Sequence, residues 1–275
     1  MRKGFTVLRE PANRLGFAVR RRLRWQRGRP DLLQEPKDDL FGYLDAGPAA
    51  LCTARERQLR RDYALQPLRD RSTRSDYRDA LDLLANLESL CRGVALQSPL
   101  TAVDVGARNW SYVFALERFL RGAGGTAREV ELTGVEIDGY GVYRDLRSRA
   151  DHAAAYVAQL DNPRVNYRVA DFLQCEFAAD VITLFFPFLT RYPLLVWGLP
   201  LSVFRPRELI AHALRCLRPG GMLVVFNQTS AERDILHRLL AELGAVVERC
   251  ESLHSRMVAF HTRTADRWGT LARLP

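Results

Sequence analysis

Three acidic residues stand at the ends of successive predicted strands. Asp104 lies near the end of the mostly apolar run Leu100–Val105. Glu136 ends the next such segment, in the sequence Gly-Val-Glu-Ile-Asp, and Asp171 follows the third, directly before Phe172. A carboxylate can accept paired hydrogen bonds from hydroxyl or amino groups. One such acid is often only a turn residue or a helix cap, but three in succession indicate a binding site for a polar small molecule.

A glycine turn joins the first of these strands to a predicted helix. Gly106 follows the strand directly, and Asn109 lies within the same turn. Because glycine has no Cβ, the backbone at Gly106 can approach a ligand closely, and the N-terminus of the next helix directs free N–H groups to the same place. An ordinary strand-to-helix turn has a similar sequence, so the turn indicates a site only together with the acidic residues.

The second half of the chain alternates between strand and helix patterns. Strands are predicted over 100–105, 130–136, 165–169, 181–186, 222–226, 246–250 and 256–261. Helices are predicted over 111–121, 141–160 and 206–217, with a further helix that ends at Leu243. Such repeats predict a doubly wound, mostly parallel α/β sheet, and the closing pair of strands indicates an antiparallel strand at the sheet edge. Ligands of such sheets bind outside the carboxyl ends of the strands, where the three acids lie.

Three segments are predicted along the chain: a basic N-terminal segment over 1–30, a helical region over 31–97 and the α/β domain over 98–275. Residues 1–30 carry ten Lys or Arg and one acid, which equals the net charge of +9 of the whole chain. They form a basic, weakly amphipathic helix that could bind anionic lipid or phosphate. A solvated tail, or a helix packed on the main domain, is the favoured alternative.

Two helices are expected within the helical region, over 53–65 and 75–92. They would cover one edge of the α/β domain and could shape a substrate pocket, although packing alone would also explain them.

Composition favours a cytoplasmic protein without a metal centre. The five cysteines are scattered without metal-ligand or paired spacing, which suits a reducing compartment. The most apolar stretch, 181–204, contains Arg191 and three prolines, so it is unsuited to span a bilayer. No secretory signal is evident at the basic N-terminus.

Five features between Leu100 and Thr262 resemble the class I S-adenosylmethionine-dependent methyltransferases. They are Val-Asp-Val-Gly at 103–106, Gly-Val-Glu-Ile-Asp at 134–138, Ala-Asp-Phe at 170–172, Leu-Arg-Pro-Gly-Gly at 217–221 and the terminal strand pair. The resemblance implies a seven-stranded, Rossmann-like sheet whose last strand is antiparallel. It also implies S-adenosylmethionine as the cofactor and methyl transfer as the activity.

The same resemblance implies the roles of the cofactor-binding residues. The turn from Asp104 to Gly106, with Asn109, would hold the methionine end. Glu136, followed by Ile137, would bind the ribose, and Asp171 with Phe172 would bind the adenine. This chain departs from the family's usual glycine-rich loop, Asp-x-Gly-x-Gly-x-Gly, because Arg108, Asn109 and Trp110 are bulky. These side chains must point away from the cofactor or reshape its site.

The acceptor is expected to be a small, partly apolar molecule that is held by the segment after the fourth strand. Candidate contacts are Tyr140, Phe186, Arg191 and Trp197, and a buried connection would account for the same segment. No catalytic residue is identified. Two alternatives remain: an RNA methyltransferase that holds phosphate with its basic N-terminus, and a catalytically inactive relative that acts as a binding protein, at membranes or elsewhere.

Overall fold

The computed structural model describes residues 2–122, 127–255, 257–258 and 266–275, and only the backbone of residues 2–8. The helices are α1 (Arg2–Leu23), α2 (Ala46–Asp62), α3 (Gln66–Asp70), α4 (Arg74–Leu90), α5 (Val113–Gly122), α6 (Arg149–Val157), α7 (Arg191–Val196), α8 (Pro206–Arg215) and α9 (Ser230–Glu242). The strands are β1 (Leu100–Val105), β2 (Val130–Glu136), β3 (Val165–Val169), β4 (Ala179–Phe185), β5 (Leu217–Asn227), β6 (Val246–Ser252) and β7 (Trp268–Arg273).

The seven strands form one sheet in the order β3-β2-β1-β4-β5-β7-β6. This confirms the seven strands and the antiparallel last strand that the resemblance implied. The pairings β1–β2, β1–β4, β2–β3 and β4–β5 are parallel, whereas β7 runs antiparallel to both β5 and β6. The sheet is therefore mixed, which corrects the expectation of a mostly parallel one. The antiparallel strand is also not at the edge, because β7 returns into the gap that the β5–α9–β6 crossover leaves open.

The position of the last strand was wrong in the sequence analysis. The expected strand over 256–261 falls mostly outside the described residues, and β7 is Trp268–Arg273. Its sequence, Trp-Gly-Thr-Leu-Ala-Arg, does not alternate between apolar and polar residues, because β7 lies between two strands and its centre is buried on both faces. A strand of this kind has no period-2 signal.

The helix after β2 begins later than its apolar pattern suggested. The sequence predicted a helix from residue 141, but α6 begins at Arg149 with Ser148 as its N-cap. The Ser148 hydroxyl accepts a hydrogen bond from the Asp151 N–H at 3.1 Å, and the Asp151 carboxylate accepts one from the Ser148 N–H at 2.9 Å. This reciprocal capping box fixes the start of the helix. Residues 137–148 are thereby left as a loop at the carboxyl end of β2.

Two apolar layers cover the sheet. The N-terminal helices α2 and α4 join α5 on one face, with Leu84 and Phe114 in that layer. On the other face α8 and α9 contribute Ile210 and Leu236 to a second layer. The helical region therefore packs onto the α/β domain and extends its core.

Helix α1 packs against the main domain, as the favoured alternative for the basic segment expected. The Asn13 amide donates to the carbonyls of Leu195 and Leu199 at 2.9 and 3.0 Å, and Phe17 is buried in a small apolar cluster with both residues. Within the described ranges, every helix is too short or too polar to cross a lipid bilayer. All five cysteines are free thiols.

Candidate functional site

The turn after β1 has a left-handed backbone at every second residue. Gly106, Arg108 and Trp110 have φ angles of 80°, 56° and 56°. These are the glycine positions of the Asp-x-Gly-x-Gly-x-Gly pattern, so the turn resembles a glycine-rich loop in which two glycines are replaced. A left-handed conformation is strained for a residue with a side chain. The packing around Arg108 and Trp110 must therefore hold them in place.

The Trp110 side chain points into the core and anchors this turn. Its ring is fully buried, and its indole N–H donates to the Asp104 carboxylate at 2.8 Å. A Cβ on Gly134 would lie only 2.7 Å from that ring. Glycine in the Gly-Val-Glu-Ile-Asp motif is thus required by the close approach of Trp110 to β2.

The buried Asp104 carboxylate stabilises the turn from its core side. Besides Trp110, it accepts hydrogen bonds from the Tyr112 hydroxyl at 2.8 Å and the Thr183 hydroxyl at 2.6 Å. Burial raises the pKa of Asp104 to about 6, and the three hydrogen bonds oppose that rise. The side chain is fully buried and accepts from three donors, two in the turn and one on β4, so Asp104 supports the shape of the turn.

Glu136 lies beside the same turn and is largely buried. Its two oxygens accept the backbone N–H groups of Arg108 and Asp138, each at 2.8 Å. Arg149 lies 3.8 Å from one of these oxygens. An ionised carboxylate offers about four lone-pair sites. Each oxygen therefore keeps capacity for one further donor, such as a ribose hydroxyl.

Asp138 was missed in the sequence analysis and lies between two arginines. Arg20 from α1 donates to its two oxygens at 2.8 and 3.2 Å, and Arg149 lies 3.2 Å away. Ile137, the residue between Glu136 and Asp138, packs against the apolar cluster around Phe17. The two-residue spacing from Glu136 could have indicated that Asp138 belongs to the site. No sequence pattern indicates its pairing with Arg20, which is 118 residues away.

At the end of β3, Asp171 and its neighbour Phe172 lie in different surroundings. Asp171 accepts the Leu173 N–H at 3.1 Å and pairs with Arg205 at 2.6 Å. The Phe172 ring is only 4% exposed and packs between Phe177 and His212. The ring packs into the core in this structure, and the contact of Phe172 with the adenine stays a prediction.

The candidate acceptor residues contact different partners. Trp197 lies over the β1 turn, with the Arg108 guanidinium 4.5 Å from its ring centre. Phe186 lies 4.7 Å from the Arg267 guanidinium, near the start of β7, and Arg191 contacts the Phe204 ring instead. Tyr140 is half-buried in the loop after β2.

A pair of acids on α4 was also missed. Asp79 and Asp82 lie one helical turn apart, and Asp82 pairs with Arg267 at 3.3 Å. Asp82 is buried, and this desolvation raises its pKa to about 6 against the hydrogen bond with Ser255 and the charge of Arg267. Asp79 is exposed at the helix surface, where partial desolvation and the neighbouring Asp76 carboxylate raise its pKa to about 6 against the charge of Arg267. The spacing of these residues looked like that of an ordinary helix surface. Among the described residues, no group of three or more His, Cys, Asp or Glu side chains could hold a metal ion.

No protein-family model matches the chain, and no curated protein matches it. Solved structures do match. TrmN from Thermus thermophilus is 12% identical, with 71% of this chain and 49% of that chain covered and a TM-score of 0.49. A SAM-dependent methyltransferase from Aquifex aeolicus is 14% identical, with 71% and 95% covered and a TM-score of 0.46. The chain thus spans about half the length of TrmN. Since both scores are below 0.5, the fold assignment rests on the strand order.

Proposed function

We propose that this protein is an S-adenosylmethionine-dependent methyltransferase. The observation that carries the proposal is the position of Glu136, at the carboxyl end of β2 and against the left-handed turn of β1. In a sheet of this order, a carboxylate at that point is suited to bind the two hydroxyls of a ribose. A carboxylate can bind ribose hydroxyls without a metal ion.

The residues present fit the cofactor chemically. Glu136 has free acceptor capacity for the ribose hydroxyls, and Asp171 would accept from the adenine amino group once Arg205 moves away. The exposed backbone at Gly106 has open space where a Cβ would lie, so the methionine end can approach it closely. When bound, the sulfonium supplies an already activated methyl group. The protein's part is therefore to orient the acceptor and exclude water.

Three arginines close the site in this conformation. Arg20 pairs with Asp138, Arg205 pairs with Asp171, and Arg108 lies between the turn and Trp197. Cofactor entry requires at least some of these contacts to open. A guanidinium that leaves one carboxylate can remain solvated at the surface, so such opening costs little for the half-exposed Arg205.

For the acceptor, we propose a small, partly apolar molecule bound above the ends of β4 and β5. Phe186 supplies an apolar surface there, and Asp79 and Asp82 stand on the opposite helix. A carboxylate whose pKa is about 6 is ionised at neutral pH and can accept a proton from an acceptor hydroxyl or amine. We assign this role to Asp79, because Asp82 is already paired with Arg267.

The test is the melting temperature of the full chain with S-adenosylmethionine and with S-adenosylhomocysteine. A ligand at about 100 times its dissociation constant adds about 2.7 kcal/mol of stability. The wild type should show a clear upward shift, which Glu136→Ala should abolish. Glu131→Ala, an exposed acid on the same strand, is the matched control and should keep the shift. If saturating ligand leaves the wild type unchanged, the protein is a binding protein of the same fold instead.

A further inference from the structure

Apart from the buried Phe17, helix α1 directs polar residues toward the protein and apolar residues toward solvent. Glu10, Asn13 and Arg20 face the domain: Glu10 accepts the Leu201 N–H at 2.8 Å, and the other two contact the α7 region and Asp138. Leu15, at 68% exposed, is on the opposite side. A helix that merely covered a core would show the reverse arrangement.

The exposed apolar residues form a regular stripe along α1. Leu15, Val19 and Leu23 are spaced four residues apart, so they lie on one face, and all three are exposed. An aliphatic stripe in water on a helix that has already used its other face for docking requires an explanation. Single exposed apolar residues are common, but a contiguous row marks an interaction surface.

A second group of exposed apolar residues lies on the helix against which α1 packs. Tyr192, Val196 and Trp197 are exposed on or directly after α7, which packs against α1. The Arg9 guanidinium reaches the Val196 carbonyl, and Asn13 bonds to the same helix. We refer to the exposed residues 15, 19 and 23 of α1 together with 192, 196 and 197 as the α1–α7 face.

Positive charge is concentrated around this face. Residues 1–30 carry the entire net charge of +9, and the remaining 245 residues are neutral as a group. Arg14, Arg21 and Arg22 are exposed among the apolar residues of α1, and Arg24, directly after the helix, is exposed as well. Trp25 is also exposed, and its indole N–H donates to the Leu146 carbonyl at 2.8 Å, which holds the ring at the end of the helix.

We propose that the α1–α7 face docks onto an anionic lipid bilayer. Its aliphatic and aromatic side chains would enter the boundary between headgroups and acyl chains, while the arginines would bind lipid phosphates. A basic helix with an apolar face, Trp at the interface and no spanning segment has the chemistry of a helix that lies in the membrane plane.

The same chemistry disfavours two other occupants. RNA is bound by phosphate contacts and by stacking on aromatic side chains, so the aliphatic residues at 15, 19 and 23 would contribute little. A second copy of this chain would bring two strongly positive surfaces together, which costs free energy through like-charge repulsion. An anionic bilayer satisfies the apolar and the positive groups at once.

Docking in this orientation would bring the candidate site to the lipid surface. Trp197 belongs to the α1–α7 face and also stacks with Arg108, whose N–H bonds to Glu136. A methyl acceptor that is itself amphiphilic and held in the bilayer would thus reach the β1 turn. This last point rests on the proposed function, whereas bilayer docking does not, and vesicle binding is measured without cofactor.

The experiment is co-sedimentation of the full chain with vesicles of phosphatidylcholine alone and with vesicles that also contain phosphatidylglycerol. The wild type should co-sediment with the anionic vesicles and should not co-sediment with the neutral ones. The double variant Leu15→Glu/Val19→Glu should lose binding, whereas Leu51→Glu, an equally exposed leucine on α2, should keep it. Removal of Arg14 and Arg22 as Arg14→Ala/Arg22→Ala should weaken binding by about fivefold per arginine.

Tryptophan fluorescence gives an independent readout on the unmodified protein. Trp25 and Trp197 are exposed whereas Trp110 is buried, so anionic vesicles should shift the emission to shorter wavelength. Trp25→Phe should reduce that shift. The proposal is overturned if neutral and anionic vesicles behave alike, if Leu15→Glu/Val19→Glu binds as the wild type does, or if the chain binds single-stranded RNA and no vesicles. A concentration-dependent dimer that Leu15→Glu/Val19→Glu dissociates, with no vesicle binding, would identify a second copy as the occupant.

Discussion

The carboxyl edge of the sheet has two halves with different chemistry. At the ends of β2 and β3, the carboxylates of Glu136, Asp138 and Asp171 are held by backbone N–H groups and by arginines from other parts of the chain, and at the end of β1 Asp104 is held by three side-chain donors. At the other half, β4 ends in Phe185 and β5 ends in the buried Asn227, which follows Phe226, and the charged groups come from α4 and from Arg267. Under the proposed function, the first half would bind hydroxyl and amino groups of the cofactor, and the second would bind an apolar acceptor beside a proton acceptor.

The difference teaches which part of such a site is set by the sheet. Residues at the ends of β1 to β3 are placed by strand geometry, so their chemistry follows from the strand order. The second half depends on a helix that precedes the sheet in sequence and on the segment before β7. Its chemistry can change without altering the strands, which suits the part of a site that selects the acceptor.

The largest expected effect is a difference in the free energy of unfolding between substitutions of two tryptophans at the first half. Trp110→Ala removes a fully buried ring and its bond to Asp104, so the free energy of unfolding should fall by about 3–5 kcal/mol. Trp197→Ala removes an exposed ring and should change it by less than about 1 kcal/mol. Urea denaturation checks both values. Equal losses would mean that the β1 turn is not anchored by Trp110.

The pH dependence of stability should reveal Asp104. Its pKa is raised from 3.8 to about 6 in the folded protein, so the folded state holds the proton more tightly than the unfolded state. The free energy of unfolding is therefore greatest below about pH 4 for this group and falls by about 3 kcal/mol as the pH rises to about 6. Asp104→Asn should flatten that part of the profile, and an unchanged slope would reject the assignment.

In the second half, Asp79 should govern the rate of methyl transfer. Once an acceptor supports turnover, Asp79→Asn should lower kcat by about 10²-fold and remove an inflection near pH 6. Asp79→Glu should restore part of the rate. Asp161→Asn is the control, because Asp161 is an exposed acid in the loop between α6 and β3. A variant whose pH profile keeps its inflection would leave Asp79 with a structural role only.

The smallest expected effect concerns the ion pair at the end of β3. Arg205→Ala should free Asp171 and tighten S-adenosylhomocysteine binding about tenfold, since a charged hydrogen bond no longer competes. Arg218→Ala removes a comparable pair with Asp180, at the opposite end of the sheet, and should leave the affinity unchanged. Calorimetric titration measures both. Weaker binding by Arg205→Ala would show that Arg205 contacts the ligand itself.

Sequence patterns predicted the first half better than the second. The Gly106 turn and Glu136 could be located because strand ends and glycines leave local signals. The partners of Asp138 and Asp171 could not, since Arg20 and Arg205 reach them only through the tertiary fold. Phe172 shows that side-chain direction is harder to predict than position. It follows β3 as the sequence indicated, but the direction of its side chain depends on a short 3-10 turn.

Hydrogen–deuterium exchange of the full chain, with and without S-adenosylhomocysteine, tests most directly whether the cofactor binds at the ends of β1 and β2. The amides of Arg108 and Asp138 bond to Glu136, so ligand should slow exchange in peptides over 104–110 and 136–138, with little change over 74–90. The cavity of about 300 Å³ lined by Lys37, Arg57 and Arg69 lies in the helical region, away from β1. Protection confined to that cavity, or none at saturating ligand, would show that the ends of β1 and β2 do not bind the cofactor.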